Sequence, residues 1–296
     1  MGYQLWTSPI TGYRRKGTRL AELRSLIGSG ITAHAVLEPL QSCPAEASAS
    51  EMAGILRQRG FDVAGVQAQQ GGPVIGFVTT ESLANGVVKD YVKPITADQL
   101  ISDAAPLPTL LSVLKARPHT FVLIGDGVRG ITTRADLNKP PVRVYLFGLL
   151  SLLEMHLGFW IRAVYVEDSW QKRVTGKRLA AATRLQADRR KRNQDVSLVD
   201  CLQFCDRRDL VIGREDLRER LCLGSKTQAG ALLKRAEDLR DLLAHSQHDL
   251  VEGSSWEEVI ALVESVEAVI HRSDEQVERE ARRLGGRGHE GLWASA

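Results

Sequence analysis

The amino-acid sequence predicts an α+β fold, in which two strand–helix–strand–strand–helix (βαββα) repeats precede an all-α helical bundle. The main observation is an internal repeat: residues 76–83 and 130–137 both run from a strand-like stretch that begins with glycine into a Thr-x-x-polar turn. The second observation is the pair Pro140 and Pro141, beyond which the strand signals stop. A repeat at this spacing indicates a duplicated structural unit, and adjacent prolines indicate a boundary.

The same order of elements surrounds both copies of the repeat. In each, a helix end leads into strand formers, a tight glycine turn, a second strand and a new helix near the Thr-x-x tetrad. The turn of the second copy, 125–130, also spells Gly-x-Gly-x-x-Gly, the fingerprint of dinucleotide-binding sites. That fingerprint needs a helix to open within the glycines, whereas strand formers follow at 131–133. We therefore interpret it as a hairpin turn, which argues against a Rossmann site.

This order of elements resembles a pair of cystathionine-β-synthase (CBS) domains, a Bateman module, over residues 30–139. The resemblance implies an adenine nucleotide (ATP, ADP or AMP) as a regulatory ligand, with no cofactor required. In the family the matching aspartate holds the ribose, which implies Asp136 with Thr133 beside it, and Ser82 at the same place in the first copy implies one good site and one degenerate site. Arg134 is expected to meet a phosphate. The residues expected to frame the base are His119, Thr120, Ile101, Ser102 and Asp103.

The chemistry of the Thr-x-x-Asp tetrad has two explanations. An ionised carboxylate accepts two hydrogen bonds, which suits the vicinal hydroxyls of a ribose, and a helix N-terminus favours a nearby phosphate. Thr133 and Asp136 are equally suited to capping a helix, because both residue types are common helix caps. The duplicated surroundings favour the nucleotide interpretation.

Composition indicates an ordinary soluble chain long enough for two domains: 296 residues, 25% charged, net charge +3 and mean hydropathy −0.16. The N-terminus lacks the pattern of a signal peptide, and the longest apolar run, 144–153, is too short for a bilayer. These observations predict a cytoplasmic protein without a membrane segment. Four cysteines with no accompanying set of metal ligands predict reduced thiols and no metal site.

The sequence pattern of the second half of the chain predicts helices. We expect an N-terminal segment over 1–29, a helical domain over 140–275 and a frayed tail over 276–296. A capping box at the start of the last helix pairs Ser254 with Glu257 or, one residue later, Ser255 with Glu258. The predicted helices cover 142–166, 168–195, 197–206, 214–222, 226–246 and 255–272.

The helix at 226–246 carries the most distinctive polar spacing of this half. Leu232, Ala236, Leu239 and Leu243 are expected to form its core stripe, which leaves Arg240, Asp241 and His245 off the stripe. The Arg-polar-x-x-x-His spacing resembles the signature of the HEPN domain, an all-helical family rich in ribonucleases whose members typically pair. The resemblance implies a homodimer.

The three polar residues have chemistry suited to metal-independent RNA cleavage. Histidine serves as base or acid near neutral pH, arginine offers a bidentate fork to phosphate, and Asp241 lies four residues before His245, where it can orient the imidazole. Arg240 and His245 point about 140° apart on an ideal helix, so a cleft between two protomers is the natural place for both.

Simpler explanations of these polar residues stay open. Arg240, Asp241 and His245 are also what a solvated helix face looks like, and a metal site of His245, His248 and Asp249 lacks a further ligand. The basic runs 14–16 and 189–192 either track an RNA backbone or are solvated faces.

Two hypotheses follow from the sequence. In the first, nucleotide occupancy of the CBS pair gates a HEPN-type endoribonuclease in a homodimer, with Arg240 and His245 catalytic, Asp241 supporting and RNA as substrate. In the alternative, the chain is a non-catalytic nucleotide-binding regulatory module, and its helices serve dimerisation or partner docking.

Overall fold

The computed structural model describes residues 5–7, 14–16, 19–194, 196–245, 249–251 and 253–288. Its strands are β1 (Leu5–Thr7), β2 (Arg14–Lys16), β3 (Glu38–Pro39), β4 (Ser42–Pro44), β5 (Val63–Gln67), β6 (Val74–Thr79), β7 (Leu100–Ser102), β8 (His119–Ile124) and β9 (Gly127–Thr133). Its α-helices are α1 (Leu20–Gly30), α2 (Ala49–Arg59), α3 (Leu107–Ala116), α4 (Pro140–Val164), α5 (Gly176–Lys191), α6 (Phe204–Ile212), α7 (Glu215–Arg220), α8 (Lys226–Ala244) and α9 (Trp256–Gly288). The chain divides into two compact units, Ile27–Arg143 (the repeat unit) and Met1–Leu26 with Val144–Ala296 (the helical unit).

Two sheets that share the topology of three strands form the repeat unit. One has the strand order β4-β5-β6 and the other β3-β9-β8-β7. In each, the first strand of the copy pairs parallel with the strand that follows the helix, and that strand pairs antiparallel with the next: β4 with β5 and β6, and β7 with β8 and β9. The duplication seen in the sequence is therefore a duplication of strand order.

The strand registers match as closely as the topology. Val63 pairs with Thr79 in the first copy and His119 pairs with Thr133 in the second. Both hairpins also shift register at the same place, after Val66 and after Val122. Counting from these pairs, Thr79 corresponds to Thr133, Ser82 to Asp136 and Asn85 to Lys139.

The two copies exchange the segments that precede them. The 3₁₀ helix Ala33–Ala35, at the start of the first copy, binds the second copy, because His34 N–H donates to Asp103 O at 2.8 Å. The 3₁₀ helix Val88–Tyr91, between the copies, binds the first, because Lys89 N–H donates to Ala45 O at 2.9 Å. Each copy is thus completed by the segment that precedes the other copy.

This exchange explains the glycine that opens each repeated motif. A Cβ on Gly76 would lie 2.6 Å from Lys93 O, and one on Gly130 would lie 3.3 Å from Leu37 Cδ1. Both neighbours belong to the exchanged segments, which pair antiparallel with the strands at these points. Only a residue without a side chain leaves room for this pairing at Gly76.

The helix predicted after each tetrad is shorter than expected. Residues 80–87 form turns and bends, and the second tetrad leads into the five-residue 3₁₀ helix Arg134–Asn138. In the first copy, Gly86 has a φ of 93°, which is incompatible with a helix. In the second, Lys139 precedes a proline and is extended, which ends the 3₁₀ helix before α4 begins. Gly125 and Asp126 connect β8 to β9 as a hairpin turn, one residue before the Asp126–Gly127 step at which the sequence predicts the turn.

The helical unit is built around α4, whose buried face meets several other helices. The His156 Nδ1 and the Trp160 indole N–H both bond Ser273 Oγ of α9, at 2.6 and 2.7 Å. The Tyr165 hydroxyl donates to Leu210 O of α6 at 2.9 Å. By length and composition, α4 is the one helix among the described residues that could cross a membrane, although 61% of its most apolar stretch is buried inside the protein. The apolar stretch of this helix is therefore longer than the predicted run of 144–153, because it continues beyond Glu154.

The first part of the N-terminal helix, through Leu26, belongs to the helical unit, which the predicted separate segment 1–29 did not anticipate. Leu20 N–H donates to Asp274 Oδ2 at 3.1 Å, and the Arg24 guanidinium pairs with Glu267 at 2.5 Å. The buried Tyr145 hydroxyl also donates to Glu267, so one carboxylate of α9 joins α1 and α4. Burial and this carboxylate raise the pKa of Tyr145.

Two other boundaries differ from the prediction, and one of two predicted capping boxes is present. The helix expected over 168–195 begins only at Gly176, because Glu167 and Asp168 have positive φ and the 3₁₀ helix Val166–Arg173 precedes α5; Asp195 lies outside the described residues. Helix α9 begins with the box of Ser255 and Glu258, the second of the two alternatives. It then continues through Gly288, beyond the expected frayed start at 276, because Val277 is still buried in the unit.

Candidate functional site

The repeat unit contains a cavity of about 610 Å³ lined by both copies. Structurally equivalent positions face it from the two sides: Asp62 and Pro118, Val63 and His119, Thr79 and Thr133, Glu81 and Ala135. The other lining residues are Glu38, Pro39, Gln41, Gly60, Phe61, Ile131, Arg134 and Asp136. Its volume lies in the range of small-molecule sites.

The Asp136 carboxylate is the most buried charge of this cavity, with 8% exposure. Its Oδ2 accepts the Thr133 N–H at 2.7 Å and the Thr133 hydroxyl at 2.9 Å, and its Oδ1 pairs with the Lys139 ammonium at 2.9 Å. The tetrad is therefore a capping box of the 3₁₀ helix, the alternative that the sequence left open. A carboxylate has about four acceptor positions, so these three bonds leave one for a ligand.

Lys139 is a residue that the sequence prediction missed. Its ammonium donates to Val36 O at 2.6 Å and to Glu38 Oε1 at 2.5 Å, besides Asp136. Burial alone would lower the pKa of Lys139, but the hydrogen bonds to the two carboxylates outweigh burial and raise it. The signal available in the sequence was the spacing of an acid and a base three residues apart. Lys139 ties the exchanged segment to the tetrad.

His119 forms an aromatic part of the cavity wall. Its ring centroid lies 6.1 Å from that of Phe77 and 5.4 Å from that of Phe121, both edge-on, and the two phenylalanine rings lie 5.0 Å apart. Burial, with the nearby Arg117 charge, lowers the pKa of His119, so the imidazole is neutral at pH 7. This is the best-placed of the residues expected to frame a base.

Arg134 lines the cavity but has another task than the expected phosphate contact. Its guanidinium donates to Leu114 O at 2.9 Å and Lys115 O at 3.2 Å, the last carbonyls of α3. Helix α3 ends at the extended residue Arg117 rather than at a glycine, so Arg134 supplies the C-terminal cap.

Four predicted residues do not line the cavity. Thr120 alternates with His119 on β8 and is fully buried, with its hydroxyl donating to Gln99 O at 2.9 Å. Ile101, Ser102 and Asp103 lie on or just after β7, the strand of this sheet farthest from β3, and Asp103 faces His34 at 3.6 Å. Three of these residues lie away from the cavity because β8 separates β7 from the tetrad strand β9, and Thr120 does so because its side chain is on the opposite face of β8 from His119.

The first copy has no counterpart of the Asp136 pair. The Ser82 hydroxyl donates to Thr79 O at 2.7 Å, which closes a local turn, and Asn85 stands where Lys139 stands in the second copy. What the first copy supplies instead is Asp62 and Glu81, two exposed carboxylates on the rim of the shared cavity. The sequence comparison missed both, because it looked only for equivalent residues.

In the helical unit, a second cavity of about 590 Å³ brings together two of the three candidate catalytic residues. Arg240 and Asp241 line it, and the Arg240 guanidinium pairs with Asp241 Oδ1 at 3.0 Å. His245 is the exposed C-cap of α8, where its backbone N–H donates to Asp241 O at 3.0 Å, and it does not line this cavity. The buried stripe of α8 runs through Ala229, Leu233, Ala236 and Leu239 rather than through Leu232 and Leu243.

The deepest charge in this second cavity is structural. The Arg207 guanidinium is buried and pairs with Glu154 at 2.8 Å, while its other nitrogens donate to Val199 O and Asp200 O at 3.3 and 3.1 Å. Burial lowers the pKa of Arg207. These bonds join α4 to the turn before α6.

A metal site at the end of α8 finds no support in the described residues. They contain no group of three or more His, Cys, Asp or Glu side chains that could hold a metal ion, and His248 lies outside them. All four cysteines are free thiols, as expected, although Cys222 is exposed rather than packed.

No protein-family model and no curated protein matches the chain. Similar solved structures are CBS-domain proteins. The CBS domain of a bacterial CNNM/CorC family Mg²⁺ transporter in complex with ATP has 14% identity over 40% of this chain and 92% of that chain, with a TM-score of 0.33. CBSX2 in complex with AMP has 17% identity over 39% and 98%, with a TM-score of 0.34. The CBS domains of a transcriptional regulator from Streptococcus pneumoniae have 13% identity over 36% and 97%, with a TM-score of 0.32. At these values the comparison names no ligand, and the argument for one rests on the cavity itself.

Proposed function

We propose that the repeat unit is a CBS pair that binds an adenine nucleotide in the shared cavity and acts as a regulatory module. The observation that carries this proposal is the cavity of about 610 Å³ between two copies of one fold, with the buried Asp136 carboxylate and the aromatic wall at His119 both facing it. The remaining acceptor position of the carboxylate suits one ribose hydroxyl, and a neutral imidazole with an apolar surround suits a base.

Regulation follows from the position of the cavity. A ligand there touches both copies, so it favours whichever arrangement of the copies fits it better. Lys139, which holds Asp136 and Glu38, is the residue immediately before α4, and α4 starts in the repeat unit and continues into the helical unit. A shift of Lys139 on ligand binding would therefore act one peptide bond from α4, the helix that runs from one unit into the other.

Calorimetry on three proteins tests the binding site. Asp136→Asn keeps the shape of the side chain but removes its charge, whereas Thr133→Ala weakens the capping box and keeps the carboxylate. We expect Asp136→Asn to weaken AMP binding about tenfold or more and Thr133→Ala to change it little, since charged hydrogen bonds are worth about 1.5–3 kcal/mol. Equal affinity in wild type and Asp136→Asn would remove this carboxylate from the site and leave it as a cap.

Within a single chain, the candidate catalytic residues Arg240 and His245 do not share a cavity. The endoribonuclease hypothesis needs His245 to join Arg240, and within one chain His245 lies outside the cavity that Arg240 lines. A homodimer in which His245 comes from the other protomer is the form of the hypothesis that this geometry permits.

Incubation with mixed RNA separates these two functions. Purified protein is incubated with and without AMP or ATP, in EDTA, next to His245→Ala and Arg240→Ala. Cleavage that both variants lose, and that an equimolar mixture of the two restores in part, would establish the ribonuclease and its shared site. Intact RNA under every condition, with nucleotide still bound, would leave the regulatory module.

A further inference from the structure

The charges around the shared cavity oppose a polyphosphate. Its lining residues include four carboxylates, Glu38, Asp62, Glu81 and Asp136. Arg134 is the only arginine or lysine among the lining residues that the structure describes, and His119 is neutral at pH 7. Lys139, which lies behind the lining, offsets only part of this charge through its pairs with Glu38 and Asp136.

Several hydrogen-bond donors of the kind that bind phosphate have protein partners here. The Arg134 guanidinium donates to the carbonyls of α3, and the Lys139 ammonium donates to Val36 O besides its two carboxylates. Among the backbone groups at the rim, Phe61 N–H donates to Leu56 O at 2.9 Å and Thr133 N–H to Asp136. Arg134 N–H donates to Pro118 O at 3.1 Å, and the 3₁₀ helix after the tetrad is too short to add a helix dipole.

We infer that this cavity selects adenine ligands of low charge, so that affinity falls with each added phosphate from adenosine through AMP and ADP to ATP. Asp62 and Glu81 are the specificity-determining residues, because they are the two exposed carboxylates that the first copy adds to the lining of the cavity that Asp136 also lines. This inference rests on the proposed function and deepens it by naming the charge state of the ligand.

The size of the effect follows from the interaction of charges in water. Two like charges about 4 Å apart in bulk water repel enough for about a fivefold change in affinity, and a partly enclosed rim increases it. Salt screens such charges, with a Debye length of about 30 Å at 0.01 M and about 3 Å at 1 M. The discrimination should therefore shrink as salt is added.

Calorimetry of the full chain with adenosine, AMP, ADP and ATP, in EDTA at low salt, tests the inference. We expect dissociation constants that rise about fivefold per added phosphate in wild type and less at 1 M salt. In the double variant Asp62→Asn, Glu81→Gln, ATP should bind about tenfold or more tighter than in wild type, with adenosine unchanged. Both positions are exposed, and matching melting curves establish that the variant is folded.

A matched control changes the same net charge elsewhere in the unit. Glu46→Gln with Asp98→Asn removes two exposed carboxylates that pair with Lys89 and Arg117 and do not line the cavity. It should leave the order of affinities as in wild type. ATP binding as tightly as AMP in wild type, or an equal gain of ATP affinity in the control, overturns the inference and leaves the proposed function standing. Binding of none of the four ligands overturns the proposed function and the inference together.

Discussion

The two copies of the repeat share one backbone and differ in the residues that hold it together. In the second copy a buried ion pair, Asp136 with Lys139, fixes the turn after the hairpin, whereas a hydroxyl of Ser82 closes the same turn in the first copy. Helix α3 of the second copy is capped by Arg134, and α2 of the first is capped by Gly60 in the left-handed conformation. The comparison shows that matching registers give both copies the same hairpin, while the Asp136–Lys139 ion pair occurs in the second copy only.

Removing the ion pair breaks the comparison most strongly. We expect Asp136→Ala to lower the free energy of unfolding by about 2–3 kcal/mol, because it removes the acceptor of the Thr133 N–H and hydroxyl and one of the partners of the Lys139 ammonium. Ser82→Ala in the first copy should cost about 1 kcal/mol or less. Urea unfolding measures both, and equal losses would show that the two turns are energetically the same.

Removing the cap of α3 or of α2 gives the next largest loss of stability. Arg134→Ala removes the hydrogen bonds to Leu114 O and Lys115 O, and Gly60→Ala forces a side chain onto a residue with φ of 70°. We expect each to cost about 1 kcal/mol in thermal or urea unfolding. A loss in only one of them would mean that the other helix end does not depend on its cap.

Grafting the ion pair onto the first copy sharpens the comparison. Ser82→Asp alone should cost about 0.5–1 kcal/mol, because Ser82 is half-buried and no cation stands nearby in the turn. Adding Asn85→Lys, at the position equivalent to Lys139, should recover most of that loss. A double-mutant cycle measures the coupling, and additive effects would show that the backbone of the first copy cannot form the pair.

The smallest expected effect is a dependence of stability on pH that comes from His119. The equivalent residue of the first copy is Val63, which does not titrate. Because burial lowers the pKa of His119, the unfolded chain binds more protons than the folded chain as pH falls below the usual histidine value of about 6.5. Stability should therefore decrease as pH falls through that window and stay level above it. The slope is at most one proton, about 1.4 kcal/mol per pH unit, and His119→Val should remove it. An unchanged slope in unfolding curves between pH 5 and 8 would assign it to other groups.

What the sequence could predict was local. The repeat was visible because Gly76 and Gly130 each lie three residues before a threonine of the tetrad, and the spacing of strand formers and turns gave the hairpins. The tetrad was also found, with both of its uses stated. The exchange of segments was not visible, because it joins His34 to Asp103 and Lys89 to Ala45, residues whose contact leaves no short-range pattern.

The same limit explains the errors around the site and in the helical unit. Arg134 has the charge to bind phosphate, and only the position of the end of α3 shows that it is used elsewhere. The acids Asp62 and Glu81 come from the other copy, so no alignment of equivalent residues finds them. Helix α1 joins the helical unit through a bond from Leu20 to Asp274, two residues at opposite ends of the chain.

The crossing of the two segments has a consequence for how such a module can be divided. A gene cut between the copies would encode halves that each carry a piece belonging to the other: the first would present β3 without β9, and the second would lack the cover for its own outer edge. Neither half could complete its own sheet by itself, and two copies of the first half could not supply β9 to each other. Each copy therefore depends on the other for the segment that completes its sheet, although the two copies differ in the charges they contribute.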